Sequence, residues 1–304
     1  MGKLFAGVAH RHGLGVAIFI GSAMTLWLFV LVVLPQIAMV TQSFRFNLPP
    51  AEQGGPADVW TLSNYAYFIF GNGDGLNSVD LWVLARTIGV ALFVTIIDLC
   101  ICYPIAFILA HSAKGMSARL IVLGLIVPFW VNEILRAFAF RILFGTTGMI
   151  NETGMALGLW DVPFDFIRAN VALYAGLAYA YILLMIFPIY NAVEALDHNQ
   201  IEAARDMGAS WLQVHRRVVL PFAKGGLASG ATMVFMLTAG ALAAPQILGG
   251  PSSLWFTQLV YQWFNDALNW PRGSAYAIIL LVVCMALVLL GMRVFKVPFG
   301  AIGK

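Results

Sequence analysis

The sequence predicts an all-α, polytopic membrane protein with six transmembrane helices and both termini in the cytoplasm. Three observations carry that prediction. Hydrophobic residues make up 61% of the 304-residue chain and charged residues 10%, against roughly 45–50% and about 25% in an ordinary globular protein. Mean hydropathy is +0.86, so most of the chain must face lipid or other helices rather than water. The apolar residues also gather into runs long enough to cross a hydrocarbon core about 30 Å thick. The net charge of +3 and pI near 8.8 do not point to nucleic acid, because in such a protein the placement of Lys and Arg outweighs their sum.

Span one lies between Arg11 and Arg45, with its apolar core from about Val16 to Val40. It is expected as an uncleaved helix, since the run exceeds a signal-peptide core of about 7–15 residues and no small-x-small cleavage site follows. Span two runs from about Trp82 to Ala110, carries Asp98, and stops at the polar cluster His111, Ser112, Lys114, Gly115. Span three follows Arg119 and runs towards Phe144, with Glu133, Arg136 and Arg141 in its second half. Span four fills the uncharged stretch between Arg168 and Glu194. Span five starts after Lys224 and is expected to end where Pro245 and Gly249-Gly250-Pro251 would break a helix. Span six lies between Arg272 and Arg293.

Placing both termini inside puts 11 of the 17 Lys and Arg on the cytoplasmic side, among them Lys3, Arg11, Lys114, Arg119, Lys296 and Lys304. Residues 41–81 then form an outer loop. Residues 252–266 are expected to make a short interfacial helix, with Trp255, Tyr261, Trp263 and Phe264 at headgroup level. Cys100, Cys102 and Cys284 sit in apolar runs and read as small hydrophobes, not as a disulfide framework or zinc cluster. No repeat with a period of about 20–50 residues is visible.

The longest inside loop, 191–224, carries the sharpest local pattern. Asp197 and Gln200 have capping-box spacing, so a helix should begin there, run through Glu202-Ala203-Ala204 and stop near Gly208. Ser210 and Gln213 repeat the spacing and start a second short helix towards Pro221. Ile201, Leu212, Val214 and Val218 have no soluble domain to pack on. Either they lie against the chain's own helix ends or they dock a separate cytoplasmic protein.

The stretch EAARDMGASWLQVHRRVVLP, residues 202–221, resembles the EAA signature of membrane subunits of binding-protein-dependent ATP-binding-cassette importers. Glu202, Ala203, Ala204, Gly208, Leu220 and Pro221 match that pattern without a gap, and Val218 stands where it has Ile. The resemblance extends from about span two to span six and narrows towards polyamine (spermidine/putrescine) permeases, through PFWVNEILRAFAFRILFGTTGMIN (Pro128 to Asn151), LGGPSS (Leu248 to Ser253) and NWPRGSA (Asn269 to Ala275). Permeases for opines, aminophosphonates, thiamine or ferric iron share parts of these.

The resemblance implies a MetI-like permease bundle in the bacterial inner membrane, with a permease domain at 81–296. Residues 1–80 then hold the N-terminal tail, first helix and outer loop, and 297–304 a cytoplasmic tail. It also implies two cytoplasmic ATP-binding subunits gripping the loop, a second homologous permease and a periplasmic binding protein. ATP and Mg would sit on the partner, since this chain has no GxxxxGK[ST] phosphate loop and is expected to bind no cofactor or metal.

Asp98 and Glu133 both fall at membrane depth, where an ionised carboxylate needs a partner or water. Glu133 has two readings. It could pair with Arg136 three residues on, or, with Asp98 and Arg136, line a path whose negative potential suits a cationic amine. Two other classes compete. A stand-alone secondary transporter would use the carboxylates and leave the loop without a role. A membrane enzyme has no support, as the five His form no HExxH and no nucleophile has an evident base.

Overall fold

A computed structural model of the chain describes residues 13–73, 75–111 and 116–294, the side chains of 117–119, 128 and 294 apart. Lys3, Arg11, Lys114, Lys296, Lys304 and the side chain of Arg119, on which the inside assignment leans, lie outside the described residues. All regular structure among the described residues is helical. Five of these helices are long and apolar enough to cross a membrane. Two compact units divide the chain at Asn77, Leu259 and Ile279.

The first unit contains α1 (Leu14–Ser43) and α2 (Ser63–Phe70). Only 6% of the apolar window of α1 is buried within the protein, so its side chains are left for lipid. A π-helical turn at Phe29–Val33 interrupts α1 just before Leu34-Pro35. Pro35 has no N–H to give, and the wider turn takes up the missing bond. Residues 41–81 are more ordered than a plain loop, because α1 reaches Ser43 and α2 packs back on it. Asn64 donates to the carbonyls of Ser43 and Arg45 at 2.9 Å, and the Ser43 and Tyr65 hydroxyls share a bond of 2.8 Å. In the same unit the Arg272 guanidinium lies 3.6 Å over the ring centre of Tyr67 and 4.7 Å over that of Trp263.

The second unit is built around α7 (Val171–Glu194), with α3 (Ser78–His111) and α9 (Trp211–Ala239) packed on it. Leu173, Leu177, Met185, Ile186, Ile189 and Val193 of α7 are fully buried. The contact between α9 and α7 is made by a face of small residues at the start of span five. A Cβ on Gly226 would stand 2.3 Å from the Pro188 carbonyl oxygen, and one on Gly230 would stand 3.0 Å from Met185 Sδ. Side chains there would force the helices apart. Helix α3 has 34 residues, about 51 Å at roughly 1.5 Å per residue, so it overshoots the hydrocarbon layer or tilts within it. Cys102 and Cys284 are buried, while Cys100 points outward.

Span three is not one helix. It breaks into α4 (Met116–Phe129) and α5 (Glu133–Leu143), and Asn132 between them takes extended backbone (φ −54°, ψ 141°) and accepts from Ile134 N–H at 2.9 Å. Asn is poor inside a helix and good at its N-cap. Helix α6 (Met149–Ala156) follows, and the fully buried Asn151 on it bonds Gly145 O, Phe164 O and Phe164 N–H. Span five also differs from expectation. It ends at Gly240, and Pro245 lies within a separate short helix, α10 (Ala243–Leu248). Helix α11 (Phe256–Asn265) appears where a short helix was expected, and Trp255 beside it is fully buried in the protein core. The last helix, α12, covers Trp270–Val294.

Candidate functional site

The chemistry-bearing residues gather at two places in the second unit. The first is the segment between α7 and the body of α9. Helix α8 (His198–Asp206) begins at Asp197, whose side chain accepts from Asn199 N–H at 3.0 Å rather than from the third helical N–H that a capping box uses. Gly208 ends the turn in the left-handed region at φ +81°, where a side chain would be strained. Ser210 then caps α9 with both bonds of a capping box: Gln213 N–H to Ser210 Oγ and Ser210 N–H to Gln213 Oε1. The second helix does not stop at Pro221. It passes through a π-helical turn at His215–Val219 and continues as α9, repeating the π-turn-Leu-Pro arrangement of α1.

The apolar residues of this segment divide. Ile201 and Val214 are buried, and Val218 packs on the same core, which is the internal-packing reading. Met207 and Leu212, on either side of Gly208, are 82% and 73% exposed, a pair of large apolar side chains with little of this chain upon them. Glu202 and Ala203 are exposed next to them, and Ala204 is buried. Glu202 Oε1 lies 3.3 Å from His198 Nε2 on the same helix. Leu220 and Pro221 sit on the outer side of the helix that leads into the bundle.

The second place is a cavity of about 510 Å³ formed by α5, α7, α9 and α10, whose polar lining is Glu133, Tyr181 and Gln246. Glu133 opens α5, so its carboxylate stands at the positive end of a helix. Tyr181 Oη donates to Glu133 Oε1 at 3.4 Å. The pairing of Glu133 with Arg136 is absent: among the described residues they make no ion pair, and the Arg136 guanidinium lies over the rings of Phe129 and Tyr179 at 5.8 and 5.9 Å. Although both lie on α5, Glu133 is turned to the cavity and Tyr181 while Arg136 is taken up by the two rings. Asp98 is not brought to the cavity. It is 1% exposed within the packing of α3, and among the described residues neither carboxylate oxygen has a hydrogen-bond partner. Among the described residues no group of His, Cys, Asp and Glu is arranged to hold a metal.

Residues 92–296, which include both places, match the family described as binding-protein-dependent transport system inner membrane component. The chain belongs to that family. It is a multi-pass permease subunit of the inner membrane in an ATP-binding-cassette importer. The permease is 32% identical over 264 residues to the spermidine/putrescine transport system permease protein PotB of Escherichia coli (strain K12), covering 87% of this chain and 92% of the relative. PotB of Haemophilus influenzae (strain ATCC 51907 / DSM 11121 / KW20 / Rd) is 30% identical over 89% of this chain and 91% of its own. In fold the permease is similar to a solved bacterial alginate ABC transporter, with TM-score 0.72, 14% identity, and 97% and 99% of the two chains covered.

Sequence reasoning missed Tyr181 and Gln246 as polar lining, since neither carries a charge, and missed Trp211 and His215 as contacts of the loop with α3. The dipeptide Asn132-Glu133, an N-cap type followed by an acid, was a usable sign of the helix break.

Proposed function

We propose that this permease, with a second homologous permease of paralogous sequence, forms the path by which a polyamine of the spermidine or putrescine class enters the cell. A periplasmic binding protein delivers the solute, and two cytoplasmic subunits holding ATP and Mg drive the cycle. They grip the loop 191–224 through Glu202, Ala203, Ala204, Gly208, Leu220 and Pro221, with Met207 and Leu212 as the apolar contact. ATP-driven closure of those partners favours an outward-facing bundle, and hydrolysis restores the inward-facing one. Helices α4 and α5 act together as one broken span, the sixth crossing, which keeps both termini inside.

One observation carries the cationic substrate: Glu133 presents a carboxylate to a cavity of about 510 Å³, and among the described residues no cation of its own chain is paired to it. An ammonium group supplies the missing partner, with Tyr181 and Gln246 as neutral hydrogen-bonding neighbours. Relatives at 30% identity and above that bear the spermidine/putrescine name point the same way. Asp98 stays outside this path as a buried packing residue.

Uptake of radiolabelled spermidine and putrescine by the complete importer in vesicles tests the reading. Loss of a charge-assisted bond costs about 1.5–3 kcal/mol, so Glu133→Gln should lower uptake roughly tenfold or more while the protein level holds. Unchanged uptake accompanied by a less stable protein would mean that Glu133 serves the fold alone.

A further inference from the structure

Rings from two parts of the chain interlock where the loop meets the end of α3. Tyr103 Oη and His215 Nδ1 share a hydrogen bond of 2.5 Å. The Phe107 ring lies 4.5 Å from His215, 5.5 Å from Trp211 and 4.9 Å from His111, centre to centre. Trp211 and His215 are 4.1 Å apart, and the Arg205 guanidinium from α8 lies 5.5 Å over Trp211. A second thread joins His111 to His198 at 5.8 Å. Contact therefore runs without a gap from α8, which carries Glu202, to α3, far earlier in the chain.

The place of this stack matters. His215 opens the π-helical turn at His215–Val219, the point where the helix leading from the loop into the membrane is least regular and where helices characteristically bend. Ring packing by itself permits sliding, because apolar contact has no direction. The Tyr103–His215 bond does have direction, and it sits at that point.

We propose that Tyr103 and His215 are positioning residues that fasten the loop to α3, so that a push on α8 moves α3 together with α9. Helix α9 follows through its own backbone, and α3 follows through this stack. The proposal rests on the coupling role given to the loop above.

The test uses the complete importer in vesicles, with ATP hydrolysis and uptake of radiolabelled spermidine measured side by side. Tyr103→Phe keeps the ring and removes the bond, and His215→Gln removes the ring partner. A single hydrogen bond shifts an equilibrium roughly two- to tenfold. Each variant should therefore assemble and hydrolyse ATP as wild type does and move roughly two- to tenfold less solute per ATP. The exchange Tyr103→His with His215→Tyr should regain most of that ratio. Gly208→Val is the control for the loop itself. The proposal fails if both single variants keep the wild-type ratio while Gly208→Val lowers it, an outcome that leaves the loop's role standing. It fails equally if uptake falls only in step with the amount of assembled complex, or if the exchange does no better than the single changes.

Discussion

At the scale of single residues, two glycines illustrate different duties and give separable predictions. Gly226 touches the Pro188 carbonyl where α9 crosses α7, with no room for a methyl group. Gly226→Val should thus overpack the bundle and cost about 1–3 kcal/mol or more, visible as a lower melting temperature in detergent; an unchanged melting temperature would contradict the contact. Gly208 has open space around it but a φ of +81°. A β-branched side chain there costs about 1–2 kcal/mol in backbone strain with no overpacking added, so Gly208→Val should lower the melting temperature modestly and lose solute uptake per ATP hydrolysed. Wild-type coupling in that variant would count against the loop's role. Gly208 was legible in the sequence because a glycine set between two capping patterns marks where one helix must stop before the next begins. Glu133 was only half legible: its depth marked it, but the choice between Arg136 and a cavity depended on which rings take up the Arg136 guanidinium, and charge spacing does not report that.

At the scale of elements, local chemistry accounts for most of what the sequence disclosed. Long, mainly apolar runs became α1, α3, α7, α9 and α12 because a lipid-facing backbone must satisfy its own hydrogen bonds. The capping box at Ser210 formed with both of its bonds, and Ser210→Ala should cost about 1 kcal/mol of local stability. Hydrogen exchange of the amides at 211–214 would report this as faster exchange confined to that turn; exchange equal to wild type would mean the cap does not hold the helix. The departures from expectation share one cause as well. Pro221 reads as a stop in the sequence, and the chain instead absorbs it in a π-helical turn, as it does before Pro35. Asn132 reads as part of a continuous span, although its side chain is able to cap, and so to end one helix and begin another. In each case the cause is a local backbone device, a π-helical turn or an N-cap, that residue type alone does not announce.

At the scale of the whole molecule, composition alone excluded a soluble protein, and the family match over residues 92–296 identifies the bundle. Orientation is a separate matter, set by Lys and Arg placement. A reporter fused after Lys304 should be active only in the cytoplasm, and export of that reporter would invert the map and move the loop 191–224 to the wrong side for ATP. The central claim is that this chain is driven through that loop by a nucleotide-binding partner and does not carry solute alone. Its most direct measurement is spermidine uptake into vesicles bearing either the purified chain or the whole importer with its binding protein, each with and without ATP. Uptake by the whole importer with ATP, and by nothing else, is the predicted result; uptake by the chain alone without nucleotide would contradict it.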